Sequence, residues 1–313
     1  MAHTLLDIAK LNGSDAVVGL IEENLTYSPE LEKIPVRTIK GTSYKIVLRE
    51  SYPGVGFRSA NEGVTGGQSV FSNRLAECFI IDGQIRVDKA VADAYEDGAS
   101  AWMAIEASGV TKQAFIEVGS QVFYGTSVDS KGFPGLTEVH TALNNGIVLD
   151  AGGTTAATGS SVWGVKFGPD GVQFVFGQGT TLNLGDWMTQ QVTDSNSKLY
   201  TAYTNGLTGW VGLQIGSKYS IGRLKDATED STKGVTDARL GELLSKYPVG
   251  YRPDAWFMSR RSAYQLQSSR SSTVNATASK SSSGSEVWAP LPTESNGIPI
   301  VVTDSIVNTE TLT

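Results

Sequence analysis

Between Gly41 and Gly125 the chain runs a glycine-punctuated, two-stranded stretch directly into a long helical one, and that order limits the folds open to it. The first half, 42–82, alternates and turns like one extended hairpin. Tyr44-Lys45-Ile46-Val47-Leu48-Arg49 leads through Tyr52-Pro53-Gly54-Val55-Gly56-Phe57 to a polar tip, Asn61-Glu62-Gly63-Val64-Thr65-Gly66-Gly67. Arg74-Leu75-Ala76-Glu77-Cys78-Phe79-Ile80-Ile81 is the return strand. An isolated two-stranded ribbon is marginal in water. A hairpin this long with so little apolar content is therefore expected to lie on a neighbouring molecule, which points to assembly rather than chemistry.

After Asp82-Gly83 the spacing changes. Val87, Ala90, Val91, Ala94, Tyr95, Gly98, Ala99 and Trp102 fall at three- and four-residue steps, one face of a helix. The stripe of Ala90, Ala94, Gly98 and Trp102 is small enough to permit close packing against a sheet. Ser108-Gly109 is a candidate kink; Phe115, Gly119, Val122 and Phe123 resume the stripe, and Tyr124-Gly125 ends it with a glycine cap. A continuous helix here would be about 55 Å long. It is expected to lie against β elements that include the last strand, so that a large residue at position 94 would overpack the contact.

On either side the text is less regular. Leu5, Ile8, Leu11, Val18 and Ile21 carry helical spacing over 4–23. Pro29 and Pro35 then impose extended chain, an arm leading to the hairpin. From Gly135 the pattern is α+β. Strands are predicted at Val162–Phe167 and Val172–Phe176 around the turn Gly168-Pro169-Asp170-Gly171, and at Trp210–Ile215, Tyr219–Leu224, Ala255–Ser259 and Ile298–Thr303. Helices are predicted at Val235–Lys246 and Arg260–Ser269. Ser271–Ser285 is too serine-rich to pack and reads as a loop.

Composition excludes several function classes. Hydrophobic residues make up 40% and charged residues 18%, with a formal net charge of −7. An acidic chain is no generic nucleic-acid binder, since that affinity rests on neutralising phosphates; a locally basic inner surface stays open. No run approaches the ~20 apolar residues of a membrane span, and 1–7 shows no secretory pattern, so synthesis in the cytosol without membrane contact is expected. The single cysteine, Cys78, cannot form an internal disulfide and reads as a small buried hydrophobe.

No catalytic, cofactor or metal site emerges. The two histidines, His3 and His140, have no ligand or nucleophile partner at a useful spacing. Gly152–Ser160 is glycine-rich but lacks the Gly-Lys-Ser/Thr ending of a phosphate loop. Asp226, Glu229 and Asp230 form an acidic cluster with nothing to set a coordination geometry. Arg260, Arg261 and Arg270 read as salt-bridging residues on a helix. A covalent cross-link from Lys45 to Asn296 or Asn308 of a neighbour is a conceivable lock, but Lys45 stands in a strand rather than at the tip, and non-covalent contact is the simpler expectation.

The order of arm, long hairpin, long helix, α+β body and closing strand resembles the major capsid proteins of tailed bacteriophages, the family with the HK97-like fold. Pro53-Gly54-Val55-Gly56-Phe57-Arg58-Ser59-Ala60-Asn61-Glu62-Gly63 is similar to that family's extended loop, and Val87-Asp88 to the opening of its spine helix. Phe123-Tyr124-Gly125 with Gly132-Phe133-Pro134-Gly135-Leu136 resembles the segment leaving the helix, and Asn296–Ser305 the terminal strand of the peripheral domain. The resemblance implies an N-terminal arm at 1–40, an extended loop at 41–85, and spine helix with part of the peripheral domain at 86–136. It further implies an axial domain at 137–290 and a closing peripheral strand and tail at 291–313. It implies a shell subunit that forms hexamers and pentamers around packaged double-stranded DNA, assembled in the host cytoplasm and ending in the virion, with no cofactor. Arg58, Asn61, Glu62 and Gly63 would make the contact between subunits. No long charged coiled coil precedes the arm, which implies a separate scaffolding protein; a portal and a decoration protein are further implied partners. An encapsulin-type cellular compartment shares this fold and stays open as an alternative, as does a phage tail or surface structural protein, although the long small-residue helix argues against the latter.

Overall fold

The computed structural model describes residues 12, 22–24, 26–144, 146–179, 182–230, 232–277 and 288–312. The amphipathic segment expected over 4–23 lies outside the described residues, apart from Asn12, Glu22 and Glu23.

Two mixed sheets and one free ribbon carry the β structure. The first sheet is organised by a 17-residue strand, Leu199–Ile215. Phe79–Asp88 pairs antiparallel with it along ten register pairs on one side. Met188–Thr193, Asn183–Leu184 and Val172–Phe176 follow one another along its other side, and Val36–Thr38 adds in parallel to Val172–Phe176. The second sheet runs Glu294–Ser295, Ile298–Val302, Ala255–Met258, Ser160–Val165, Ile221–Ala227, Val148–Asp150. Its central strands are buried throughout, Ser160–Val165 and Ala255–Met258 without an exposed residue. Near-continuous apolar text of this kind suits strands covered on both faces.

The helix differs from its sequence reading at the start. Phe79–Asp88 remains a strand, so Val87 is a buried strand residue and not the first position of the helical stripe. Asp88 caps a single turn, Lys89–Ala92, its carboxylate accepting from the Ala90 amide at 2.8 Å. The chain then turns through Asp97-Gly98, with Gly98 at φ +86°, a conformation suited to glycine. The helix proper is Ala99–Tyr124, 26 residues, about 39 Å long. Asp-Gly is turn chemistry, and here it overrode the apolar period. No break occurs at Ser108-Gly109, and Gly125 ends the helix at φ +55°.

The helix packs in two halves. Trp102 and Ala107 join Ile85 and Val87 of the neighbouring strand. Val118, Val122 and Phe123 join the main core, which contains Trp163, Phe174, Phe257 and, from the closing strand, Val301. Phe123 and Phe257 meet edge to face at 5.9 Å, a favoured geometry for aromatic pairs. Helix Asp237–Ser245 covers the second sheet through Leu240 and Leu243. Arg260–Thr277 is one continuous 18-residue helix, so the serine-rich tract is helical as far as Thr277 rather than a loop; 278–287 lies outside the described residues.

Candidate functional site

The hairpin stands off the body as a ribbon. Among the described residues Ser43–Ser51 and Val70–Glu77 pair with each other and with no other strand, with a bulge at Arg49/Ser51. Nine residues of strand extend about 30 Å, which places the tip far from its own core. One face carries Lys45, Val47 and Arg49 opposite Leu75, Asn73 and Phe71, all exposed. Arg49 lies over both the Phe71 and the Tyr52 rings, at 5.2 and 5.6 Å. At the tip Phe57 is 109% exposed and Val55 nearly as much.

Arg58, Asn61, Glu62 and Gly63 sit together on that tip. Arg58 donates to the Glu62 carbonyl at 3.2 Å, the Glu62 amide donates to the Ser59 carbonyl at 3.3 Å, and Asn61 takes φ +66°. The tip is thus a self-closed turn that presents its side chains outward.

The ribbon's root is tied to the far end of the long strand. Arg74 donates to the Ile215 and Gly216 carbonyls, both at 2.9 Å. The Tyr44 hydroxyl donates to Gln214, which also accepts from Gln173 and donates to the Pro169 carbonyl at 2.7 Å. Arg37 lies over the Tyr44 ring at 4.9 Å, and burial raises the Tyr44 hydroxyl above its ordinary range. Arg74, the group that sets the ribbon against the body, was not singled out from sequence; a lone arginine in a strand carries no local signal.

The expected packing stripe is not brought together. Ala90 and Ala94 are exposed and Gly98 precedes the helix with nothing within 4 Å of the position a Cβ would take; only Trp102 is buried, its ring 5.8 Å from Tyr95. The small residue that does permit close approach is Gly119, where a Cβ would collide with Glu30, Ser28 and Ser305. A groove of about 620 Å³ lies along the helix and strand Phe79–Asp88, with Ile81, Val110 and Ala114 on its walls beside Asp82 and Glu117.

The chemistry-bearing residues have structural surroundings. His140 is buried edge-on against Trp163 at 5.8 Å. Cys78 is buried at the hairpin root, and burial pushes its thiol up. Asp226 is buried beside Lys225, whereas Glu229 and Asp230 are exposed and Asp230 closes a turn onto Thr232. No group of three metal-ligating side chains exists among the described residues, and no described helix is long and apolar enough to cross a membrane. Arg260 pairs with Asp304, and Arg270 with Asp237, at 2.7 Å, where the guanidinium lowers the carboxyl. Asn308 accepts from Ser259 at 2.7 Å, Asn296 stands in a turn at φ +53°, and Lys45 is exposed mid-strand.

The family model for Major capsid protein GP7 matches residues 14–313. Among solved structures, a chain of bacteriophage Epsilon15 is 19% identical with a TM-score of 0.69, covering 99% of this chain and 97% of that one. A Mycobacterium phage Cain chain (12% identity, TM-score 0.47) covers 72% of this chain and 98% of its own. The SrpI encapsulin of Synechococcus elongatus (8%, TM-score 0.45) covers 72% and 95%. The last two are too dissimilar to weigh. A search of curated proteins returned no match. The Epsilon15 likeness establishes the HK97-like fold.

Proposed function

The chain belongs to the major capsid protein GP7 family, and from that premise we propose that its projecting ribbon is the element that joins subunits into hexamers and pentamers of an icosahedral head. The protein is a shell-forming structural component of the virion and associates with itself. The observation that carries the proposal is the ribbon itself: two strands paired only with each other, ending in a tip whose Phe57 and Val55 face solvent. Exposed apolar groups on a preordered tip mark an interaction surface. Arg58, Asn61, Glu62 and Gly63 supply the polar part of that contact, which is non-covalent. The mapping of arm, extended loop, peripheral domain and axial domain onto 1–40, 41–85, 86–136 with 291–313, and 137–290 belongs to the same reading.

Packaged double-stranded DNA would be held by weak, salt-sensitive contact confined to the inner face, as suits a net charge of −7. A separate scaffolding protein and a portal complete the assembly in the host cytoplasm, and the subunit has no enzymatic role. The encapsulin alternative loses support because the family that matches over 14–313 is a phage capsid family. The experiment is deletion of Glu62–Gly67, with electron microscopy of the product. Folded, soluble subunits without closed shells are expected; unfolded subunits would place the tip in the core and overturn the reading.

A further inference from the structure

Three segments distant in sequence converge on one buried carboxylate. Glu30 opens the short helix Glu30–Lys33 at the base of the arm and is 0% exposed. Thr303 donates to its Oε2 at 2.7 Å, and Ser305 donates to its Oε1. Ser28 and Ser305 hydroxyls lie 3.0 Å apart, and Ser305's amide donates to Thr303 Oγ1 at 3.1 Å. The third side is the spine helix, at Gly119, whose missing Cβ leaves the room that the carboxylate, Ser28 and Ser305 occupy. Just outside, the arm and the closing turn exchange two further bonds: Tyr27's amide to Asp304 Oδ2 at 3.0 Å and Asp304's amide to Tyr27's carbonyl at 3.1 Å.

No cation faces Glu30 among the described residues. On its own helix Lys33 and Glu32 are exposed; on the closing turn Asp304 is negative and is paired to Arg260 at the start of helix Arg260–Thr277. The spine helix contributes Gly119, while Glu117 lines the groove beside strand Phe79–Asp88 and Lys112 pairs with Glu22. A buried carboxylate held by hydroxyls and its own backbone amide, with no cation, is costly when ionised. Hydroxyls also accept, so a protonated carboxyl can donate to Ser305, whose own proton then serves Ser28.

We propose that Glu30 is a proton-linked clasp: its neutral carboxyl locks the base of the arm onto the spine helix and the closing turn, and its ionisation loosens that lock. Burial raises the carboxyl from its ordinary 4.5 and outweighs the hydrogen bonds of Ser305, Thr303 and Glu30's own amide, with a smaller upward push from Asp304. With the folded value above the unfolded one, the stabilisation is complete below the unfolded value and is lost as pH rises through the folded value. The arm is therefore tightest at acid pH and slackens as pH rises from the unfolded toward the folded value.

Hydrogen exchange of 27–34 in the purified full-length protein, corrected for intrinsic rates and followed from pH 5 upward, tests this. Protection should fall by up to about tenfold per pH unit between the unfolded and the folded values and level off above the folded value, while the strand Ala255–Met258 stays constant. Glu30→Gln should keep the arm protected and remove the dependence. Parallel slopes in the two proteins, no slope in the natural one, or an arm unprotected at every pH in Glu30→Gln would overturn the proposal. Should Glu30→Gln fail to fold, Thr303→Val decides: it removes a bond that favours the ionised form, so the loosening midpoint should move to higher pH. A midpoint that stays or falls contradicts the clasp.

Discussion

The ribbon Ser43–Glu77 and the sheet strands Ser160–Val165 and Ala255–Met258 have the same backbone structure and opposite surroundings. Each sheet strand is covered on both faces by its own chain, and the ribbon presents Val47, Phe71, Leu75 and Phe57 to solvent. The lesson is that strand pairing alone says little about where stability resides. The sheet holds the subunit together; the ribbon's apolar groups remain available for another copy.

Substitutions can break or sharpen that contrast. The largest effect is expected in the sheet. Phe257→Ala removes the ring that meets both Phe123 and Phe167 and should lower subunit stability by about 3–5 kcal/mol in denaturant melts. A loss below 1 kcal/mol would deny the sheet its central place.

Next comes the closing segment. Glu310 accepts from Tyr124 at 2.6 Å, Ser161 at 2.5 Å and Arg223 at 3.1 Å, all buried or nearly so. Burial and the facing Glu310 carboxylate push the Tyr124 hydroxyl well up. Glu310→Ala leaves the Arg223 charge without its partner and should remove about 3 kcal/mol, read by the same melts. A neutral result would mean that water reaches Arg223.

At the junction of the two regions the effect should be intermediate. A Cβ on Gly212 would collide with the Glu77 carbonyl at the ribbon's root, so Gly212→Ala should destabilise by about 1–3 kcal/mol. It should also tilt the ribbon and lower particle yield by more than the melting loss accounts for. Equal proportional losses would show that the root does not orient the ribbon.

The smallest effect on the subunit belongs to exposed sites. Phe57→Ser and Ala94→Phe should each leave melting within about 0.5 kcal/mol of the natural protein. Phe57→Ser should nonetheless depress shell yield in gradient sedimentation, because the lost contact lies between copies. Unchanged yield from Phe57→Ser would remove the ribbon tip from the interface. For Ala94→Phe the overpacking foreseen from its spacing is withdrawn, since position 94 is exposed.

Local chemistry made much of this legible. Gly168-Pro169-Asp170-Gly171 turns where expected, between strands whose apolar text marked them, and Gly125 ends the helix it was expected to cap. The ribbon was legible because its glycine-rich tip and modest apolar content contradict a core role, and its two strands do pair apart from both sheets. Other features were not. The first eleven residues of the 17-residue strand Leu199–Ile215 are mostly Thr, Tyr and Gly, and sequence marked only its last six.

What the sequence by itself determined is therefore the set of elements whose signals lie within a few residues: turns, caps, buried strands and the two-stranded ribbon. Tertiary structure alone decided that a polar residue such as Glu30, Arg223 or Glu310 lies inside. The reason is range. Glu30 is satisfied by Ser305, 275 positions away, and Arg223 by Glu310, 87 positions away. A buried polar group is tolerated only where such partners arrive, and no local spacing records their arrival.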